Sequence, residues 1–137
     1  MRYNYKMSDM TAAMLRVQLR RLPFFIERRR ALAGYYHREL EGLAHVKMLP
    51  LEPDGINYRF TIQVDRPVDA LIQALEKRGV SCRRPVFRPI HQYLNLSARA
   101  FPWAQRWWRS CLSIPIYPAL GDDEAERVVL ALRQELQ

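Results

Sequence analysis

Residues 57–65 read NYRFTIQVD, and the spacing inside this stretch decides what kind of fold the chain can adopt. Tyr58, Phe60, Ile62 and Val64 alternate with Arg59, Thr61 and Gln63. A period of two sets apolar side chains on one face of an extended strand and polar ones on the other. Turn formers bound it, with Pro53, Asp54 and Gly55 before and Arg66 and Pro67 after. The residues up to about 45 follow helical spacing instead, so the chain is neither all-helical nor all-β.

Working toward the N-terminus, Ser8 suits a helix N-cap, with Met10, Ala13, Met14 and Val17 at i, i+3, i+4 and i+7 behind it. Leu15, Leu19 and Leu22 add a second stripe, so this helix is apolar on more than one side. Pro23 is expected to break it or to start the next helix, which runs to about Leu43 with Phe25, Leu32, Tyr36, Leu40 and Leu43 along one side. Residues 1–45 therefore read as a helical hairpin.

Toward the C-terminus, Asp65 is placed to cap a helix with Pro67 in its first turn and Val68, Leu71, Ile72 and Leu75 on its apolar face, ended by Gly79. Residues 80–82 suit a short strand. The stretch from Arg83 to Ala100 reads as a long loop, and such loops more often carry function than structure. Phe101 to Arg109 suits a short helix, and LSIPIY at 112–117 a strand near a sheet edge, since Pro115 cannot donate to a ladder. Gly121 and Asp122 open a last helix whose stripe is Ala125, Val128, Val129, Leu132 and Leu136; Asp122, Asp123 and Glu124 suit its positive end. Residues 46–137 thus form the α+β part, with a small, mostly antiparallel sheet flanked by helices.

The 137 residues fit one domain, and 49% hydrophobic content allows a modest core. The first residues show no apolar leader, and no apolar run is long enough to span a bilayer. Cys82 and Cys111 lack metal or redox spacing, which fits thiols in a reducing cytoplasm. The net charge of +8 comes almost entirely from arginine, in runs such as Arg28-Arg29-Arg30 and Arg83-Arg84. That pattern fits solvated helix faces or a site for anionic ligands better than nucleic acid. Five dispersed glycines make neither a P-loop nor a dinucleotide fingerprint.

Several stretches, in order, resemble one family. NYKMSDMTAA followed by QLRRL, RRRALAGYYHREL, INYRFTIQV, LIQALEKRGVSCRRPVFRPIHQY and FPWAQRWWRSCLSIPIYPALGDDEAERVVLAL are similar to the DegT/DnrJ/StrS-type sugar aminotransferases, fold-type I enzymes that use pyridoxal phosphate. The resemblance spans nearly the whole chain yet corresponds only to the C-terminal (small) domain of such an enzyme. The large domain with the Schiff-base lysine has no counterpart here. It implies a chain inactive alone, with no cofactor covalently bound, whose partner is a large aminotransferase domain or a second copy in a dimer.

The resemblance also implies site residues. Asn4 matches an asparagine that reaches the cofactor phosphate of a neighbouring subunit. Lys6 stands where the family has an arginine for the substrate carboxylate, and Arg2 replaces a family glycine. His91 and Tyr93 match a loop lining the sugar-nucleotide side of the pocket, with Arg84 and Arg88 flanking it. No catalytic residue and no metal site are expected. The alternatives are a protein-interaction module, or half of a split aminotransferase paired with a separate large domain.

Overall fold

The computed structural model describes residues 6–52 and 54–136. In chain order these residues form helix α1 (Asp9–Leu40), strands β1 (Val46–Met48) and β2 (Phe60–Val64), helix α2 (Val68–Lys77), a one-turn helix α3 (Ile90–Tyr93), a short 3-10 turn (Ala98–Ala100), helix α4 (Pro102–Ser110), strand β3 (Cys111–Ile114) and helix α5 (Asp122–Leu136). The strands make one antiparallel sheet in the order β1-β2-β3. The α+β class with a small antiparallel sheet is as expected.

Register explains both faces. Val46 opposes Val64, Met48 opposes Ile62, Phe60 opposes Ile114 and Ile62 opposes Leu112, so these apolar side chains share one face. Lys47, Gln63, Thr61 and Ser113 share the other. The apolar face is covered by the C-terminal half of α1 (Leu32, Ala33, Tyr36, Leu40), by α2 (Val68, Leu71, Leu75) and by α5 (Ala125, Val128, Val129, Leu132, Leu136), all buried. Tyr36 meets Phe60 edge-on at 5.4 Å and donates its hydroxyl to the Pro115 carbonyl at 2.9 Å, so a large ring enters the core with its one polar atom satisfied.

Within the arginine run at 28–30, Arg28 and Arg29 are not on a solvated face, while Arg30 is exposed. Arg28 donates to the Leu120 carbonyl (2.5 Å) and pairs with Asp122 (2.7 Å), while Arg29 donates to the carbonyls of Ile116 (2.9 Å) and Tyr58 (3.1 Å). Both clamp α1 to the turn between β3 and α5.

Three expectations need correction, and one strand was missed. The hairpin over 1–45 is one helix of 32 residues with Pro23 inside it. Proline removes a single bond, to the Leu19 carbonyl, and Leu19 lies on an exposed part of the helix where water can take that bond. Asp65 does not cap α2, whose N-cap is Pro67; its carboxylate sits 2.5 Å from His45 Nδ1 instead. Residues 80–82 form no strand, and the pairing falls one residue later, in an isolated bridge between Arg83 and Ser113. The strand β1 was not anticipated, because three residues are too few to show an alternation.

Helix ends follow their sequence signals. The Ser8 hydroxyl accepts from the Thr11 amide (3.2 Å), and the Glu124 carboxylate accepts from the Gly121 amide (2.8 Å) at the start of α5. Gly79 ends α2 at φ 77°, a conformation that costs glycine nothing.

Candidate functional site

The segment from Arg83 to Phe101 contains little regular structure, yet its backbone is tied down at successive points. Arg83 exchanges both backbone bonds with Ser113, at 3.1 and 2.7 Å. Arg59, on the solvent side of β2's entry, donates to the Pro85 carbonyl. The Trp108 indole N–H is shared between the carbonyls of Val86 (3.1 Å) and Phe87 (3.3 Å). Arg84 then locks α4 in place: its guanidinium lies 4.2 Å from the Trp108 ring centroid, donates to the Trp108 carbonyl (3.1 Å) and pairs with Asp69 of α2 (2.6 Å).

His91 faces inward. It is 4% exposed, stacks on Phe101 at 5.3 Å with 15° between the rings, and meets Gln105 Oε1 at 3.1 Å through Nε2. An amide oxygen only accepts, so Nε2 carries the proton and donates. Gln92 donates to the same oxygen (3.2 Å). His91 is therefore a pin that fastens α3 to α4. The neighbouring side chains face solvent: Tyr93 is exposed, with the Arg88 guanidinium 5.4 Å from its ring. Asn95, at φ 54°, turns the chain after α3 in the left-handed region that asparagine tolerates.

Of the residues singled out from sequence, Arg88 and Tyr93 come together on the outside of this loop. His91 lies behind them. Lys6 is exposed just ahead of the Ser8 cap, while Arg2 and Asn4 lie outside the described residues. Arg84 is committed to Trp108 and Asp69 rather than open to a ligand. Sequence reading missed Trp108, Gln105 and Arg59 as the anchors of the loop, because their partners lie 13 to 26 positions away and are mostly backbone carbonyls.

The thiols are core groups. Burial pushes Cys82 up to about 12, against a smaller opposing effect of Arg83, and burial also raises Cys111 despite its hydrogen bond with Ser110. Both cysteines are free and buried. A pyridoxal phosphate aldimine needs a desolvated, positioned lysine amine. Lys6, Lys47 and Lys77 are all exposed, so these residues do not fit covalent attachment of that cofactor.

A small antiparallel sheet packed on one face by a long helix and two shorter ones, with an anchored loop at one end, is the small-domain fold of the fold-type I aminotransferases. The chain superposes on the Streptomyces venezuelae aminotransferase DesV in its ketimine complex with a TM-score of 0.86 and 29% identity, covering 100% of this chain and 41% of that one. It matches the aminotransferase TlmJ of Streptoalloteichus hindustanus with a TM-score of 0.82 and 32% identity, over 93% of this chain and 36% of that one. The chain belongs to the DegT/DnrJ/EryC1/StrS aminotransferase family, whose model matches residues 1–133. That family is pyridoxal phosphate-dependent.

Among curated relatives, the dTDP-4-dehydro-2,3,6-trideoxy-D-glucose 4-aminotransferase of Saccharopolyspora spinosa is 37% identical over 88% of this chain and 32% of its own length. The UDP-N-acetyl-3-dehydro-α-D-glucosamine 3-aminotransferase of Acidithiobacillus ferrooxidans is 30% identical over 98% of this chain and 37% of its own. The chain thus spans about a third of the length of these relatives. No helix among the described residues is long and apolar enough to cross a membrane.

Proposed function

We propose that this chain is the C-terminal, substrate-side portion of a pyridoxal phosphate-dependent sugar-nucleotide aminotransferase, acting with a large domain that carries the cofactor lysine. One observation supports this reading above others. Among the described residues the first half of α1 is left uncovered: Met10, Met14, Leu15, Val17, Leu19, Leu22 and Phe24 are all exposed. Such a helix, apolar on more than one side, is built to be covered. The anchored loop adds a second apolar surface, with Phe87 88% exposed although its backbone is held by Trp108.

In this reading Arg88 and Tyr93 face the nucleotide part of the substrate, and His91 holds their loop at the right height. Arginine supplies a charged fork for phosphate, and the tyrosine ring and hydroxyl supply stacking and a donor. Lys6 would meet the substrate carboxylate as a point charge, and Asn4 the cofactor phosphate of a neighbouring subunit, both by resemblance. The partner is a separate large domain or a second copy of the same assembly, and its home is the cytoplasm.

The test starts with the purified chain, pyridoxal phosphate and an absorbance spectrum before and after borohydride. No reducible aldimine band is expected. Adding the N-terminal two-thirds of the S. spinosa relative as a separate polypeptide should yield a co-eluting complex with an aldimine band. A stable band from the chain alone, or failure to associate with any large domain, refutes the proposal.

A further inference from the structure

A groove of about 900 Å³ lies between helix α4 and the polar side of the sheet. Arg106 and Arg109 of α4, with Arg99 of the 3-10 turn, line one wall, and Lys47 of β1 and Arg66 of the turn after β2 line the other. Arg88, His91 and Tyr93 do not line it, so it is a different place from the loop surface described above.

Its charge is one-sided. One acid among the described residues, Asp65, lines the groove against these five cations, and its carboxylate is already held by His45 Nδ1 at 2.5 Å. Lys47, Arg99, Arg106 and Arg109 have no ion-pair partner among the described residues. Arg66 donates to the Glu135 carbonyl, which is neutral. Cations on two facing walls repel one another, and low-dielectric walls focus their field into the space between them. Relief on both walls takes an occupant with several separate negative charges.

The other lining groups narrow the class. Gln63 spends its Nε2 on Ser110 (3.1 Å), and Gln105 spends its Oε1 on His91 and Gln92 (3.1 and 3.2 Å). That leaves an acceptor on Gln63 and a donor on Gln105, which together match the N–H and C=O of a peptide backbone. Trp103 and Trp107 share one face of α4, four residues apart, and are 69% and 45% exposed, an apolar surface that water hydrates poorly. In an extended peptide successive side chains point to opposite sides, so neighbouring carboxylates reach both walls at once. A nucleic-acid strand carries one row of phosphates and fits two facing basic walls less well. The geometry points to a docking site for an extended acidic peptide segment of another protein, its carboxylates between the α4 arginines and the Lys47–Arg66 wall and an apolar side chain on the two indoles. This rests on the groove alone and stands whether or not the chain acts in an aminotransferase.

Calorimetric titration of the intact chain with the synthetic hexapeptide EDLEDL at low ionic strength tests it. Extended, this peptide shows carboxylates and a leucine on each side. It is expected to bind at one site, to weaken as salt rises, and to bind better than its uncharged analogue QNLQNL. Arg109→Gln should weaken EDLEDL about threefold, as one partly exposed ion pair does. The leucine-free peptide EDAEDA should bind about fivefold more weakly than EDLEDL to the parent chain, and Trp103→Ala should abolish that difference. Arg127→Gln, on α5 away from the groove, should change nothing. All three side chains are exposed, so the folded state should survive each change, checked by circular dichroism. Absence of EDLEDL binding at millimolar peptide overturns the proposal. So do equal binding of QNLQNL, a leucine preference that survives Trp103→Ala, and an Arg127→Gln effect equal to that of Arg109→Gln. Tighter binding of an oligothymidylate that Arg109→Gln weakens would reassign the groove to nucleic acid and overturn it as well.

Discussion

The last helix and the first half of the first helix look alike in sequence and end in opposite surroundings. In α5, Ala125, Val128, Val129, Leu132 and Leu136 form a stripe that is buried against the sheet and α1. In α1, Met10, Met14 and Val17, with Leu15, Leu19 and Leu22 beside them, form stripes at the same spacing that remain exposed. Periodicity says that a face is apolar. Whether something covers it depends on where the chain sends the helix, and α1 extends past the sheet by about half of its length.

The largest effect that would break this comparison is a truncation in α5. Leu132→Ala should destabilise the folded chain by about 3 kcal/mol, from lost burial plus the cavity left behind. The equivalent Leu19→Ala should change urea stability by less than about 0.5 kcal/mol, since that side chain is already in water. If the two substitutions cost the same, the first half of α1 is covered in the isolated chain, and the contrast fails.

Alkaline titration sharpens the contrast chemically. Cys82 is raised in the folded state from 9.0 to about 12 by burial, so above pH 9 the unfolded chain releases a proton that the folded chain keeps. The stability this contributes is fully present below pH 9 and falls as pH rises toward 12, by up to about 1.4 kcal/mol per pH unit. Tyr36 is raised by burial as well and adds to the loss higher up. Chemical denaturation of Cys82→Ala between pH 8 and 11 should show a shallower decline than the parent; parallel curves would exclude the thiol as a contributor.

Tyr36→Phe is a smaller intervention in the same core. It keeps the ring against Phe60 but leaves the Pro115 carbonyl without its donor, at about 1–2 kcal/mol in equilibrium unfolding. Smallest of all in global stability is Pro23→Ala. It restores the missing helical bond and should slow amide exchange over residues 19–23, with little change in the unfolding midpoint. A midpoint shift as large as that of Leu132→Ala would mean that the exposed half of α1 unfolds together with the core.

Legibility in the sequence followed the range of the interactions. The stripes of α2 and α5 and the alternation in β2 are written at separations of two to four residues, so they could be read directly. The caps at Ser8 and Gly121 are equally local. The candidate loop was located by its prolines, but its organisation was not, because Trp108 holds carbonyls 21 and 22 positions away and Arg84 reaches across 15 to Asp69. His91 was expected to meet a ligand and proves to be buried, since nothing near it in sequence announces Phe101 and Gln105 as its neighbours.

What the sequence determined by itself is the α+β class, the main helices and the family, because local periodicity and ordered motifs survive in one dimension. Only the tertiary structure decided that Pro23 bends no hairpin, that Arg28 and Arg29 are clamps, and which apolar stripes stay bare. Those outcomes turn on whether solvent or another segment occupies the space beside a side chain. That is a property of the packed chain, and no spacing of residues along it records the answer.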